Sequence, residues 1–250
     1  MLDLGMKDKC ILITGASSGI GETVARFLNS QGATVVLVAR DEEKMKKIVG
    51  DLEGENYIFP YDLSNLANID SIFKFCVSKG LRLHGMVHCA GVCNNIPIKA
   101  NDIEDMQNTM TVNYFAFVEL GRLFSLKKYS NEGSSIVAMS STASIMCDMG
   151  MAQYSASKAA INASVKTMSK EFIRRRLRVN AIAPAFVDTE MAWKTANDVE
   201  NFEENLLKIQ PLGIISTQHV ANMIAFLLSD ASSYITGTII PMTAGMHLNE

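Results

Sequence analysis

The chain has 250 residues, enough for one well-buried domain. Hydrophobic residues make up 48% and charged residues 20%, with a formal net charge of -3. This weakly acidic total gives no electrostatic footing for a nucleic-acid or anionic-membrane partner. No apolar stretch reaches the length of a membrane span.

Asp3, Lys7, Asp8 and Lys9 precede a short apolar run, which is not the layout of a signal peptide, so a cytoplasmic location is expected. That run, residues 10–13, is the first predicted strand. Further apolar, β-branched runs follow at 34–38, 57–59, 85–89, 135–139, 177–182 and 238–242. Most are continuously apolar rather than alternating, as in a sheet covered on both faces. Helical patterns lie between them at 20–30, 42–52, 68–78, 103–125 and 152–174. The alternation predicts an α/β fold: a doubly wound, Rossmann-type parallel sheet of seven strands with helices on both faces. Residues 1–250 read as a single domain. Residues 190–212 are polar and weakly patterned, and fit either a substrate lid or an ordinary surface helix pair.

The five cysteines, Cys10, Cys76, Cys89, Cys93 and Cys147, are odd in number and irregularly spaced, so no disulfide framework is expected. Cys89 and Cys93 form a C-x-x-x-C beside His88, but no second ligand cluster follows, and no metal is expected. They read as small buried hydrophobes at a strand end and in a loop.

Between the first strand and the first helix stands Thr14-Gly15-Ala16-Ser17-Ser18-Gly19-Ile20-Gly21. Glycines remove the Cβ atoms that keep a ligand off the backbone. Gly19, Ile20 and Gly21 fall where free amides and the helix dipole favour a pyrophosphate, and Ser17 and Ser18 can add hydroxyl donors. The spacing G-x-x-x-G-x-G differs from the common dinucleotide fingerprint. It is not a P-loop, because Glu22 stands where a lysine must follow.

With this turn, the Asn113 region, Ser141 and Tyr154-Ser155-Ala156-Ser157-Lys158, the chain resembles the short-chain dehydrogenase/reductase family, in order and over almost its whole length. Its nearest subgroup is the 3-oxoacyl-[acyl-carrier-protein] reductase type. Tyr154 and Lys158 are i and i+4, so they share a helix face. A nearby ammonium favours the phenolate, and acid–base catalysis works best with a pKa near the operating pH. The resemblance implies that Tyr154 transfers the proton and that Lys158 tunes it and bonds the nicotinamide ribose. By the same resemblance, Ser141 holds the substrate oxygen and Asn113 supports a water relay. It also places Asp62 and Leu63 at the adenine, Cys89, Ala90 and Gly91 along the cofactor, and Pro184, Val187 and Thr189 under the nicotinamide carboxamide. A homotetramer is implied as well.

Ala39 occupies the position where NAD-preferring relatives carry an acid, and Arg40 follows it. A guanidinium suits a 2′-phosphate, so NADP(H) is favoured over NAD(H). Cys89 replaces the family's asparagine, Ala185 a glycine, and Pro241-Met242-Thr243-Ala244-Gly245 the usual acid-glycine-glycine run. Met146, Met149 and Met151 fall where the family's substrate loop runs, while most of the 15 methionines read as core filler. The expected activity is hydride transfer between nicotinamide and a small-molecule carbonyl or secondary alcohol. The rivals are a sugar-nucleotide epimerase or dehydratase, which normally needs a further substrate domain, and a cofactor-binding regulator without turnover.

Overall fold

The computed structural model describes residues 4–196 and 201–248. Seven parallel strands form one sheet in the order β3-β2-β1-β4-β5-β6-β7. They are β1 (Cys10–Thr14), β2 (Thr34–Ala39), β3 (Tyr57–Pro60), β4 (Leu83–His88), β5 (Ser130–Met139), β6 (Arg178–Pro184) and β7 (Ile239–Met242). All seven expected strands are present. β5 starts earlier than expected because a register shift at Leu83/Gly85 lets Ser130 pair ahead of the main ladder.

The inner strands are buried on both faces, the edge strands β3 and β7 only partly, and alternate residues serve opposite cores. Leu12, Val36, Val38, Met86 and Ile136 pack on one side with Phe73 and Phe117. These come from α3 (Asp70–Ser78) and α5 (Ala116–Phe124), joined by Ile161 and Val165 of α7 (Ala152–Glu171). Ile11, Ile13, Val35, Leu37 and Val137 pack on the other side. There they meet α1 (Gly19–Ser30), α2 (Glu42–Gly50) and α10 (Thr217–Leu228) through Val24, Leu28, Met45, Ile48 and Ile224. Asp41 and Ser216 cap α2 and α10 by accepting from the Lys44 and His219 amides.

Two expected helices differ in detail. The pattern at 103–125 resolves into α4 (Ile103–Met110), a π turn at Thr111–Phe115, and α5. The pattern at 152–174 ends earlier, at Glu171, and a 3-10 turn at Ile173–Arg175 follows. Arg176 then adopts φ +53°, and the left-handed step turns the chain into β6. Segment 190–212 holds α8 (Glu190–Ala196) and α9 (Phe202–Ile209), and residues 197–200 of it lie outside the described residues. A one-turn helix, α6 (Ala143–Met146), precedes α7.

The order reverses between β1 and β4. In open α/β sheets, ligands bind at the carboxyl ends of the strands beside that switch point. Here those ends are Thr14 and His88.

Candidate active site

The glycine turn lies against the end of β4. Gly15 has φ +66°, and a Cβ on it would stand 2.6 Å from the Ala90 amide nitrogen. A Cβ on Gly21 would run into the Gly15 carbonyl. Ser18 caps α1 in extended conformation without placing its side chain on the first-turn amides. Across the cleft, Thr189 comes within van der Waals reach of a Cβ built on Gly19. A side-chain-free floor beneath uncapped helix amides fits a dinucleotide pyrophosphate. Gly15 and Gly19 to Gly21 would hold it, with Ser17 and Ser18 beside them.

At the far end of this cleft, Arg40 is exposed after β2, and Asp62 follows β3. The Ser64 amide donates to Asp62 at 2.9 Å and holds its carboxyl below the usual range, with Arg40 adding a smaller pull. Leu63 is buried beside it. Arg40 and Asp62 therefore flank the same edge, where an adenosine end would lie.

The end of β4 carries an unexpected arrangement. His88 turns inward, fully buried, with Nδ1 3.0 Å from the Thr14 hydroxyl. The Ala90 amide donates to that same hydroxyl at 3.3 Å, which leaves the Thr14 proton for Nδ1. Burial, and secondarily Lys158, push the imidazole down to about 3, so it is neutral. Among the described residues, no group of three or more His, Cys, Asp or Glu side chains could hold a metal ion. Cys89 and Cys93 are half-buried and line the cavity, Cys89 also packing against the core on the α1 side of the sheet, and burial raises their thiols to about 12 and about 11.

Tyr154, Ser141 and Lys158 meet in one cavity of about 790 Å³, together with Cys89, Gly91, Pro184, Val187 and Thr189. Ser141 hydrogen-bonds the Tyr154 phenol, and its hydroxyl accepts from the Ala143 amide at 3.1 Å. The phenol is nevertheless pushed up from its ordinary value, first by burial and then by Cys93. Lys158 does not lower it here. Its Nζ lies 5.5 Å from the centre of the Tyr154 ring and donates to the Met139 carbonyl at 2.7 Å. Burial drives the ammonium down to about 8.

Asn113 sits in the π turn, fully buried, and its side chain clamps the loop after β4. It accepts from the Val92 amide and donates to the Val92 carbonyl and to Ser157 Oγ. Gly91 packs between Asn113 and Lys158, and a Cβ there would stand 3.3 Å from Asn113 Oδ1 and 3.5 Å from Lys158 Nζ.

Gln210 carries no motif and escapes sequence reasoning. It is fully buried, and its side chain reads the backbone like a partner strand. It accepts from the Phe186 amide at 3.1 Å and donates to the Phe186 carbonyl at 3.1 Å and to the Gly213 carbonyl at 2.8 Å. The end of α9 is thereby tied to the segment after Pro184. The available signal is a polar residue before Pro211 in an otherwise weakly patterned stretch.

A family profile described as enoyl-(acyl carrier protein) reductase matches residues 15–247. A 3-oxoacyl-[acyl-carrier-protein] reductase FabG of Rickettsia felis is 36% identical over 98% of this chain and 99% of its own. A human 3-oxoacyl-[acyl-carrier-protein] reductase is 30% identical over 96% of this chain and 99% of its own. The solved structure of a short-chain type dehydrogenase/reductase from Mycobacterium ulcerans superposes with a TM-score of 0.88 at 29% identity, covering 96% of this chain and 90% of that one. Sheet order, glycine turn and near full-length similarity agree, and the chain belongs to the short-chain dehydrogenase/reductase family of NAD(P)-dependent oxidoreductases.

Proposed function

We propose that the protein reduces the ketone of a 3-oxoacyl thioester with NADPH, using Tyr154 as the general acid. The observation that carries this reading is the convergence of Tyr154, Ser141 and Lys158 in one cavity that opens onto the glycine cleft. The names of the relatives support the thioester. The nicotinamide, when bound, supplies the hydride to the carbonyl carbon.

The chain's own residues handle the oxygen and the proton. Ser141, held by the Ala143 amide, donates to the substrate oxygen and fixes the carbonyl beside Tyr154. The phenol O–H gives its proton to that oxygen as negative charge builds on it. A raised phenol stays protonated but is a weaker acid, so the transfer is driven by the charge that builds on the substrate oxygen. In the reverse direction the phenolate must form, and Lys158 supplies the stabilising charge once Nζ leaves the Met139 carbonyl for the cofactor side. Asn113 keeps Gly91 and Val92 against Lys158, which supports the proton path to solvent.

Arg40 supports NADP(H), because a guanidinium at the end of β2 pairs with a 2′-phosphate and no acid stands at Ala39. Ala156, Ala159 and Ala163 are exposed along α7, which supports close packing of that helix in a homotetramer. Segment 190–212 is read as the substrate lid. Among the described residues no helix is long and apolar enough to cross a membrane, and a cytoplasmic location is proposed.

The test is NADPH oxidation with a 3-oxoacyl thioester. Tyr154→Phe should abolish turnover and leave NADPH binding within about twofold. Retained turnover in Tyr154→Phe overturns the mechanism. Tight NADPH binding with no turnover on any carbonyl would favour the regulator instead.

A further inference from the structure

Asn162 lies on α7, one helical turn beyond Lys158, and does not line the cavity. Its Nδ2 donates to the Ser144 hydroxyl at 2.9 Å. Its Oδ1 is buried and has no partner among the described residues. A buried unpaired acceptor is destabilising, and leucine would fill the same space without one. The retained amide points to a need for its donor.

The direction of the hydrogen bonds around Ser144 is fixed. Its hydroxyl lies 2.6 Å from the Ser141 carbonyl, which can only accept, so Ser144 gives its single proton there. Ser144 must then accept from Asn162, and only the NH2 end of that side chain can give. The chain of donation runs one way, from Asn162 through Ser144 to the Ser141 carbonyl. A hydroxyl that accepts a hydrogen bond donates its own more strongly.

Ser141 is held at every other polar atom as well. The Ser144 amide donates to its carbonyl at 3.0 Å, and the Ala143 amide donates to its hydroxyl at 3.1 Å. On either side, the Ser140 amide donates to the Ile182 carbonyl at 2.8 Å and the Thr142 amide to the Pro184 carbonyl at 3.0 Å. Ser140 and Thr142 are thus anchored on β6. The Ser141 carbonyl between them is anchored on α6 and, through Ser144, on α7.

We propose that Asn162 is a positioning residue: through Ser144 it holds the Ser141 peptide so that the Ser141 hydroxyl meets the substrate oxygen beside Tyr154. The proposal rests on the carbonyl-reducing reading of Ser141 and Tyr154 and deepens it. A loosened donor fails most where charge builds on that oxygen, so the rate suffers more than the affinity.

Three variants separate this role from simple fastening of α6 to α7. Asn162→Asp keeps the shape and a bond to Ser144 but reverses its direction, because a carboxylate draws the Ser144 proton away from the Ser141 carbonyl. Asn162→Leu removes the donor and the stranded acceptor together. Ser144→Ala removes the link. With NADPH and a 3-oxoacyl thioester, each should lower kcat roughly tenfold and leave KM within about twofold. The Asn162→Leu/Ser144→Ala double variant should be no slower than Ser144→Ala, because the two residues act in series. The urea midpoint of Asn162→Leu should equal or exceed that of wild type, which a merely structural role would not give. Wild-type kcat in Asn162→Asp, or single effects that multiply in the double variant, overturn the proposal.

A second arm needs no turnover. Amide hydrogen exchange over residues 140–146 should speed up in Asn162→Asp and Asn162→Leu, since the Ala143 and Ser144 amides lose well-placed acceptors on Ser141. Unchanged exchange in both variants overturns the positioning role. Faster exchange in the variants, beside a wild type that reduces no thioester, would overturn the thioester reading and leave the positioning of Ser141 standing.

Discussion

Asn113 and Val92 exchange two hydrogen bonds, the Val92 amide donating to Oδ1 at 2.8 Å and Nδ2 donating to the Val92 carbonyl at 3.0 Å. The loop that carries Gly91 and Cys93 is therefore fastened to the helix opposite Lys158. Asn113→Ala should cost about 2 kcal/mol of stability, because it strands two half-buried backbone groups. Turnover should fall at least roughly tenfold as Gly91 loosens from Lys158. Urea unfolding and NADPH-dependent rates check this, and an unchanged unfolding midpoint would contradict it.

Lys158 is a charge held at a cost. Its folded pKa is about 8, against 10.5 ordinarily. Between these values the unfolded chain binds the extra proton, so stability rises with pH across that window and the penalty is fully present below it. Lys158→Met should remove the penalty. The cofactor-free protein should gain on the order of 2 kcal/mol at neutral pH while turnover is lost. The gain should shrink as pH climbs from about 8 towards 10.5. A variant less stable than wild type at neutral pH would refute this account.

His88 predicts acid sensitivity. It is neutral in the fold with a pKa of about 3, against 6.5 ordinarily. Its contribution is fully present above 6.5 and is lost as pH falls towards 3, because the unfolded chain takes up the proton first. Stability should drop by about 3 kcal/mol between neutral pH and roughly pH 4 from this residue. His88→Asn should start less stable, from lost packing on Phe117, but show a flatter acid slope. Equal slopes for the two proteins would show that His88 is not the sensor.

Gln210 joins α9 to the segment after Pro184 through three backbone hydrogen bonds. Gln210→Leu keeps the bulk and removes the partners. KM for the thioester should rise several-fold with a smaller change in kcat, and stability should fall by about 2 kcal/mol. A lower kcat at constant KM would place Gln210 in the chemical step instead.

The sheet was legible because its strands are short apolar runs, most of them rich in β-branched residues and the inner ones buried on both faces, a pattern that depends on local composition. The glycine turn was legible because Gly15 and Gly21 have no room for a Cβ, a need the residue type itself declares. The Tyr154–Lys158 pairing followed from helix spacing, but the direction of Nζ did not. The Met139 carbonyl that holds it arrives from β5 through tertiary packing. Gln210 was silent for the same reason, since its partners depend on how α9 folds back onto β6. The methionines that line the cavity were half visible, because Met146, Met149 and Met151 cluster in sequence while Met139, Met191 and Met246 join them only in space.

The π turn at Thr111–Phe115 makes helix 103–124 sensitive to length rather than to composition. Thr109, Asn113 and Phe117 are all fully buried at steps of four, which the wider turn keeps on one side. Removing one residue from the turn would restore ordinary winding and rotate α4 by about 100° relative to α5. The helix would still form, but α4 would present different residues to α7, against which it packs. Asn113 would leave Val92, and the active-site loop would lose its anchor although no active-site residue had been substituted. Indels in this stretch should therefore be selected against more strongly than substitutions on its exposed face.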